Sequence, residues 1–268
     1  VKLVWNQNGV AYPAWDRDNY KTTNSKLSCL LHMADYVVYQ SEFCHLSANH
    51  YLGKARVPSK ILYNPVDTEL FSPAENLPTL DTWQLLVTGT HLQPDRVLLI
   101  LKALANLKNR GYDAKLTIAG RLAWPDGEKE TLDAIKQFKL AGNVELIGAY
   151  TQDQAPGIYQ AAHILFHIKY KDPCPTVPIE AMSCGVPVIG SLSGGMPELV
   201  SDEGGVLLEV PDVWDKMCYP EPEEIVKAVE NIMSDFEGWR QKARERAVSH
   251  FSKEQWLEEH HQIFTEVL

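Results

Sequence analysis

The segment KYKDPCPTVPIEAMSCGVPVIG (169–190) sets two carboxylates, Asp172 and Glu180, with seven residues between them. An ionised carboxylate only accepts hydrogen bonds, so a pair of them suits sugar or ribose hydroxyls. Pro173 and Pro175 hold Asp172 in a loop, and the spacing predicts Glu180 in the first turn of a helix that Gly185 and Pro187 end. Free amides at such a helix start, around Cys174 and Thr176, suit a phosphate. A second stretch, GSLSGGMPELV (190–200), places Gly194 and Gly195 ahead of Met196, Pro197 and Glu198. Paired glycines let backbone approach a ligand closely, and Pro197 suits a helix start with Glu198 in its first turn. The third, VTGTHLQPDRV (87–97), offers Gly89, Thr90, His91 and Arg96 to a diphosphate. A guanidinium can donate twice to one phosphate. Taken singly, each stretch also fits a plain turn, a helix-dipole acid or a surface residue.

These stretches need a frame that brings them together. LLVTGT (85–90), KLTIAG (115–120), VELIG (144–148), HILFHI (163–168), VPVIGS (186–191) and GVLLEV (205–210) read as buried strands. The segments between them read as helices. The clearest follows Pro94, with Val97, Ile100, Leu101, Leu104 and Leu107 at helical spacing and Gly111 at its end. Strands alternating with helices predict an α/β fold, a doubly wound parallel sheet of Rossmann type over 79–235. In such a sheet ligands bind at the carboxyl ends of the strands, where all three stretches fall.

Residues 1–78 carry a thinner version of the pattern. Strands are expected at 2–6, 36–40 and 59–63 and helices at about 24–33 and 41–52. A Pro-containing linker, acting as a hinge, is expected at 64–78. Three strands make a small core, so 1–78 reads as part of an N-terminal domain whose first strands are missing. Residues 236–268 read as two closing helices, at about 238–250 and 253–267, with Ser252 and Gln255 at capping-box spacing.

The net charge of −10 argues against a nucleic-acid binder. No run of apolar residues is long enough to span a membrane. Cys29, Cys44, Cys174, Cys184 and Cys218 are odd in number and lack metal-ligand spacing, so reduced thiols, no metal site and a cytoplasmic setting are expected. The chain opens on Val1, as a fragment or processed product would.

Together the motifs resemble the retaining GT-B glycosyltransferases of family 4, which include bacterial mannosyl- and glucosyltransferases. The similarity runs from YVVYQSEF (36–43) and NPVDTELF (64–71) through EAMSCGVPVI (180–189), GGMPELV (194–200) and the late helices. The resemblance implies transfer of a sugar from a nucleoside diphosphate sugar to a sugar, lipid or other hydroxyl acceptor, with retention and without cofactor or metal. It gives Asp172 the transferred sugar, Glu180 the ribose, and the Gly194–Gly195 loop the phosphates. Catalytic roles fall to Asp172, Glu180 and Arg96, with the donor held by Gly89, Thr90, His91, Pro173, Cys174, Pro175, Thr176, Gly194, Gly195, Met196 and Glu198. Asp172 stands where the family has Glu, and His91 and Arg96 stand where it has Arg and Lys. NQNGVAYPAW (6–15) is expected near the cleft, and the absent part of the N-terminal domain is where membrane contact would lie. A sugar-nucleotide epimerase of the same fold and a non-catalytic nucleotide-sugar-binding domain remain as alternatives.

Overall fold

The computed structural model describes residues 1–268. Its first unit has strands β1 (Val4–Gln7), β2 (Tyr36–Tyr39) and β3 (Ser59–Ile61), with helices α1 (Tyr20–Met33) and α2 (Glu42–Tyr51) between them. The three strands pair in parallel in the order β1-β2-β3. Successive residues of β2 serve opposite faces, as the pleat requires. Val37 and Tyr39 pack with Leu31, Cys44 and Ala48, whereas Tyr36 and Val38 face the other way.

The second unit is a six-stranded sheet. Its strands are β4 (Trp83–Thr88), β5 (Ala114–Ala119), β6 (Val144–Gly148), β7 (Ile164–His167), β8 (Val188–Ser191) and β9 (Gly205–Leu208). The helices are α3 (Asp95–Asn109), α4 (Gly127–Gln137), α5 (Ala155–Gln160), α6 (Thr176–Ser183), α7 (Met196–Val200) and α8 (Pro222–Ser234). All six strands are parallel, in the order β6-β5-β4-β7-β8-β9. This is the doubly wound order of a Rossmann sheet, with its switch point between β4 and β7. Leu85 and Val87 join Ile100, Leu104, Ile225 and Val229 on one face. Leu86 and Leu165 join Ile179, Met182 and Ala243 on the other. Each fully buried aliphatic side chain of this kind contributes about 1.5–3 kcal/mol.

Two helices follow, α9 (Phe236–Phe251) and α10 (Lys253–Val267). Ala243, Ala247 and Phe251 of α9 pack in the second unit, while Ile263 of α10 covers Tyr36 and Val38 of the first. Ser252 caps α10 by accepting the Gln255 amide at 3.3 Å, but Gln255 does not reach back, so only half of the expected capping box forms. The stretch over 64–78 is better anchored than a free hinge. Val66 exchanges backbone hydrogen bonds with Phe251 and Lys253, and the Arg244 guanidinium donates to the carbonyls of Thr68, Phe71 and Ser183. No helix is long and apolar enough to cross a membrane.

Candidate functional site

A cleft of about 600 Å³ opens between the two units. The loop after β1 forms one wall, with Asn8, Gly9, Tyr12 and Trp15; the loop after β7 forms the other, from Lys169 to Cys174, with Thr176 at the start of α6. The second wall lies at the switch point, where the connections from β4 and β7 leave the sheet in opposite directions. Of the residues singled out from spacing, Asp172, Pro173, Cys174 and Thr176 line the cleft, and so do most residues of 8–15.

Asp172 is the central charge. It is 7% exposed, and its Oδ2 sits 3.0 Å from His167 Nε2 and 3.0 Å from Lys169 Nζ. Burial alone would raise its pKa, but the His167 hydrogen bond and the Lys169 charge outweigh burial and bring it down to about 2. The carboxylate is therefore ionised at neutral pH. His167 is fully enclosed, and burial, reinforced by the nearby Arg96 and Lys169 charges, lowers its pKa. A neutral ring that donates from Nε2 leaves Nδ1 as a bare acceptor, and that atom has no partner.

The other singled-out residues are placed differently from what spacing alone suggested. Glu180 lies past the first turn of α6, because the helix already begins at Thr176 and takes Pro178 into that turn. Its carboxylate accepts from Tyr159 Oη at 2.7 Å and from Gln152 Nε2 at 3.3 Å. Pro175 is the extended residue before the helix. Gly194 and Gly195 press against the Asp172 loop. Gly194 has φ +65°, a Cβ there would come within 2.4 Å of the Asp172 carbonyl oxygen, and one on Gly195 within 2.1 Å of that of Pro173. Gly195 N–H donates to Asp172 O at 2.8 Å. In this structure the glycines admit neighbouring backbone.

Met196 is fully buried and packs under Gly190, so it belongs to the core rather than to a donor surface. Glu198 is also engaged elsewhere. Its two oxygens accept the amides of Glu42 and Phe43 at 2.6 and 2.7 Å, capping α2 across the junction between units. At the first junction Gly89 has φ +112° with open space beside it, and Thr90 is exposed. His91 is fully buried, with Nε2 3.1 Å from the Ala119 carbonyl. Burial drives its pKa down to about 4, so it is a neutral core imidazole and no phosphate cation. Arg96 is 4% exposed and donates to Thr90 O at 3.0 Å, so its charge stands behind the cleft rather than in it.

The cations that line the cleft are instead Lys169 and Lys171. Lys171 pairs with Asp212 and lies 4.0 Å from the centre of the Trp214 ring. Trp214 also meets Tyr12, Phe43 and Tyr51 at 5.2–5.7 Å and so straps the β9–α8 connection onto the first unit. The KYK run ahead of Asp172 was the available signal for both lysines. Nothing local in the sequence marks Trp214, whose partners lie far away in the chain.

Residues 72–249 match the family model of the glycosyl transferases group 1. The chain belongs to this family. Among curated relatives, this group 1 chain is 22% identical over 218 residues to the phosphatidylinositol N-acetylglucosaminyltransferase gpi3 subunit of Schizosaccharomyces pombe, covering 80% of the chain and 44% of that protein. It is 27% identical over 179 residues to the N-acetyl-alpha-D-glucosaminyl L-malate synthase of Bacillus anthracis, covering 65% of the chain and 42% of that protein. The chain thus spans less than half the length of either relative. The fold is GT-B. Sucrose-phosphate synthase from Thermosynechococcus elongatus superposes with a TM-score of 0.81 at 20% identity, over 98% of this chain and 67% of that one. HepE of Anabaena, solved with UDP-glucose, gives 0.80 at 19% identity, over 99% and 72%.

Proposed function

We propose that this group 1 chain supplies the donor side, and part of the acceptor side, of a retaining hexosyltransferase of family 4 that uses a nucleoside diphosphate sugar. The carrying observation is an ionised, buried Asp172 lining a cleft at the switch point of a Rossmann-type sheet. In this reading residues 1–78 face the acceptor, 79–235 hold the donor and 236–268 tie the two units together. Asp172 orients the transferred sugar from the unshared Oδ1, and Glu180 takes the ribose hydroxyls in exchange for its Gln152 contact. The amides at the α6 start meet the diphosphate, with the recessed Arg96 offsetting its charge. The donor C1–O bond to phosphate breaks, the acceptor oxygen bonds to C1 on the same face, and the leaving phosphate takes the acceptor proton. No metal or cofactor is assigned a role. The five free cysteines support a reducing, cytoplasmic setting.

The second reading is a non-catalytic nucleotide-sugar-binding unit. It is favoured by His91, neutral and buried where the family resemblance expects an arginine.

Calorimetry with UDP, GDP and their sugars tests the donor site. Glu180→Gln is expected to weaken binding of the bare nucleotide by about ten-fold, since a charge-assisted hydrogen bond contributes ~1.5–3 kcal/mol. Asp172→Asn should act mainly on the sugar-linked form. If neither nucleotide binds at millimolar concentration, the donor assignment is wrong. Donor turnover by the complete gene product, with and without EDTA, then separates transfer from binding alone. EDTA-sensitive transfer would contradict the metal-free reading.

A further inference from the structure

The wall of the cleft that faces Asp172 has a chemistry of its own. Trp15, in the turn after β1, is 41% exposed and lines the cleft. Beside it lie Asn8, Asp16, Thr23 and Leu27. An aromatic face presented to a concave site with a few polar groups beside it is the kind of surface that small-molecule pockets present. The same wall mixes the short polar side chains Asn8, Asp16 and Thr23 with the apolar Val10, Ala11 and Leu27 around the indole. That alternation fits a pyranose, whose C–H face is apolar and whose rim is a ring of hydroxyls. A lipid tail would favour an unbroken apolar wall, whereas here Asn8, Asp16 and Thr23 stand between the apolar Val10, Ala11 and Leu27.

Charge narrows the class further. Lys169 is satisfied by Asp172 at 3.0 Å and lies 5.5 Å from the centre of the Trp15 ring. Lys171 is held by Asp212. Both cations lining the cleft are thus already paired, while the Asp16 carboxylate accepts only the Asn19 amide, at 3.3 Å. An anionic acceptor would meet Asp16 and Asp172 with no free cation to offset them. We infer that the acceptor is an uncharged saccharide, stacked by one pyranose face on Trp15, with its hydroxyls held by Asp16, Asn8 and Thr23. This rests on the glycosyltransferase reading and names the substrate class of the same cleft. Lys169 then touches both sides of the reaction, gripping Asp172 while lying over the ring that carries the acceptor.

Saturation-transfer NMR on the 268-residue chain, with and without UDP, tests the inference. The probes are cellotriose, mannotriose and chitotriose, set against inositol 1-phosphate and phosphatidylinositol vesicles. At least one trisaccharide should receive saturation on its ring C–H protons. Trp15→Ala should weaken that binding by about ten-fold, and Trp15→Phe should restore most of it, because an aromatic face is what matters. UDP affinity should be the same in all three proteins, which also checks that the variants are folded. If UDP binds and no trisaccharide does, the inference fails and the donor site stands. Preference for inositol phosphate or the vesicles overturns it too, as does a Trp15→Ala protein with unchanged saccharide affinity. If saccharides bind and UDP does not, the donor reading fails instead.

Discussion

Two buried side chains near the cleft are expected to leave their marks on stability at different pH. His91 has its pKa depressed to about 4 against an ordinary 6.5, because the charged ring would have to sit in the core. The unfolded chain therefore binds a proton that the folded chain refuses between those values. Its contribution is full above pH 6.5 and is lost as pH falls toward 4, by up to about 3 kcal/mol. His91→Gln keeps an amide for the Ala119 carbonyl and cannot titrate. Denaturant unfolding at a series of pH values should show a flatter profile between about pH 6.5 and 4 for this variant; an unchanged slope would assign the acid sensitivity elsewhere. Asp172 acts lower. Its folded pKa of about 2 lies below the ordinary 3.8, so its contribution is present above about pH 4 and lost as pH falls toward 2. Asp172→Asn should remove that second component, worth about 2 kcal/mol, leaving the His91 component in place.

At the scale of elements, the turn after β8 decides whether the Asp172 loop can sit where it does. Gly194→Ala meets both a left-handed backbone and the Asp172 main chain, and Gly195→Ala meets the Pro173 carbonyl. Each should cost about 1–3 kcal/mol as an overpacked contact and should lower nucleotide affinity by displacing the loop. Thermal unfolding and calorimetry check the pair; retained stability with lost binding would show that the glycines touch the ligand directly. How far the sequence disclosed these elements depends on the range of the forces involved. The six strands were legible because VELIG, HILFHI and their kin are short apolar runs whose pattern is local. VELIG, however, expected to be buried, forms the largely exposed edge strand β6, because edge position is set by sheet order and not by the local run. The edges of α6 were not, since Pro178 sits two residues inside the helix, where its missing N–H had no partner to lose, so the helix begins earlier than the first turn expected around Glu180. The roles of Glu198 and Arg96 were hidden for another reason. A carboxylate in a first turn looks the same in sequence whether it greets a ligand or the amides of a helix 155 residues away.

For the molecule as a whole, the two units are joined by a few specific contacts. Glu198 caps α2, Ser41 Oγ donates to the Pro173 carbonyl at 2.7 Å, and Trp214 stands among Tyr12, Phe43 and Tyr51. Trp214→Ala should cost about 2 kcal/mol for a half-buried aromatic. Its effect should concentrate at the junction, as faster hydrogen exchange in residues 8–16 and 42–51 with little change in β4–β9. Uniformly faster exchange would mean that the strap stabilises the whole chain and does not serve the junction. The last helix carries a further consequence. Ile263 closes over Tyr36 and Val38, and Lys60 meets Glu259 across 199 positions of sequence. On a ribosome adding about 5–20 residues per second, the outer face of β2 would wait roughly 10–40 s for its cover. Through that interval the nascent chain shows an apolar sheet face to water, and its yield in a cell should depend on chaperones that shelter such faces until synthesis reaches α10.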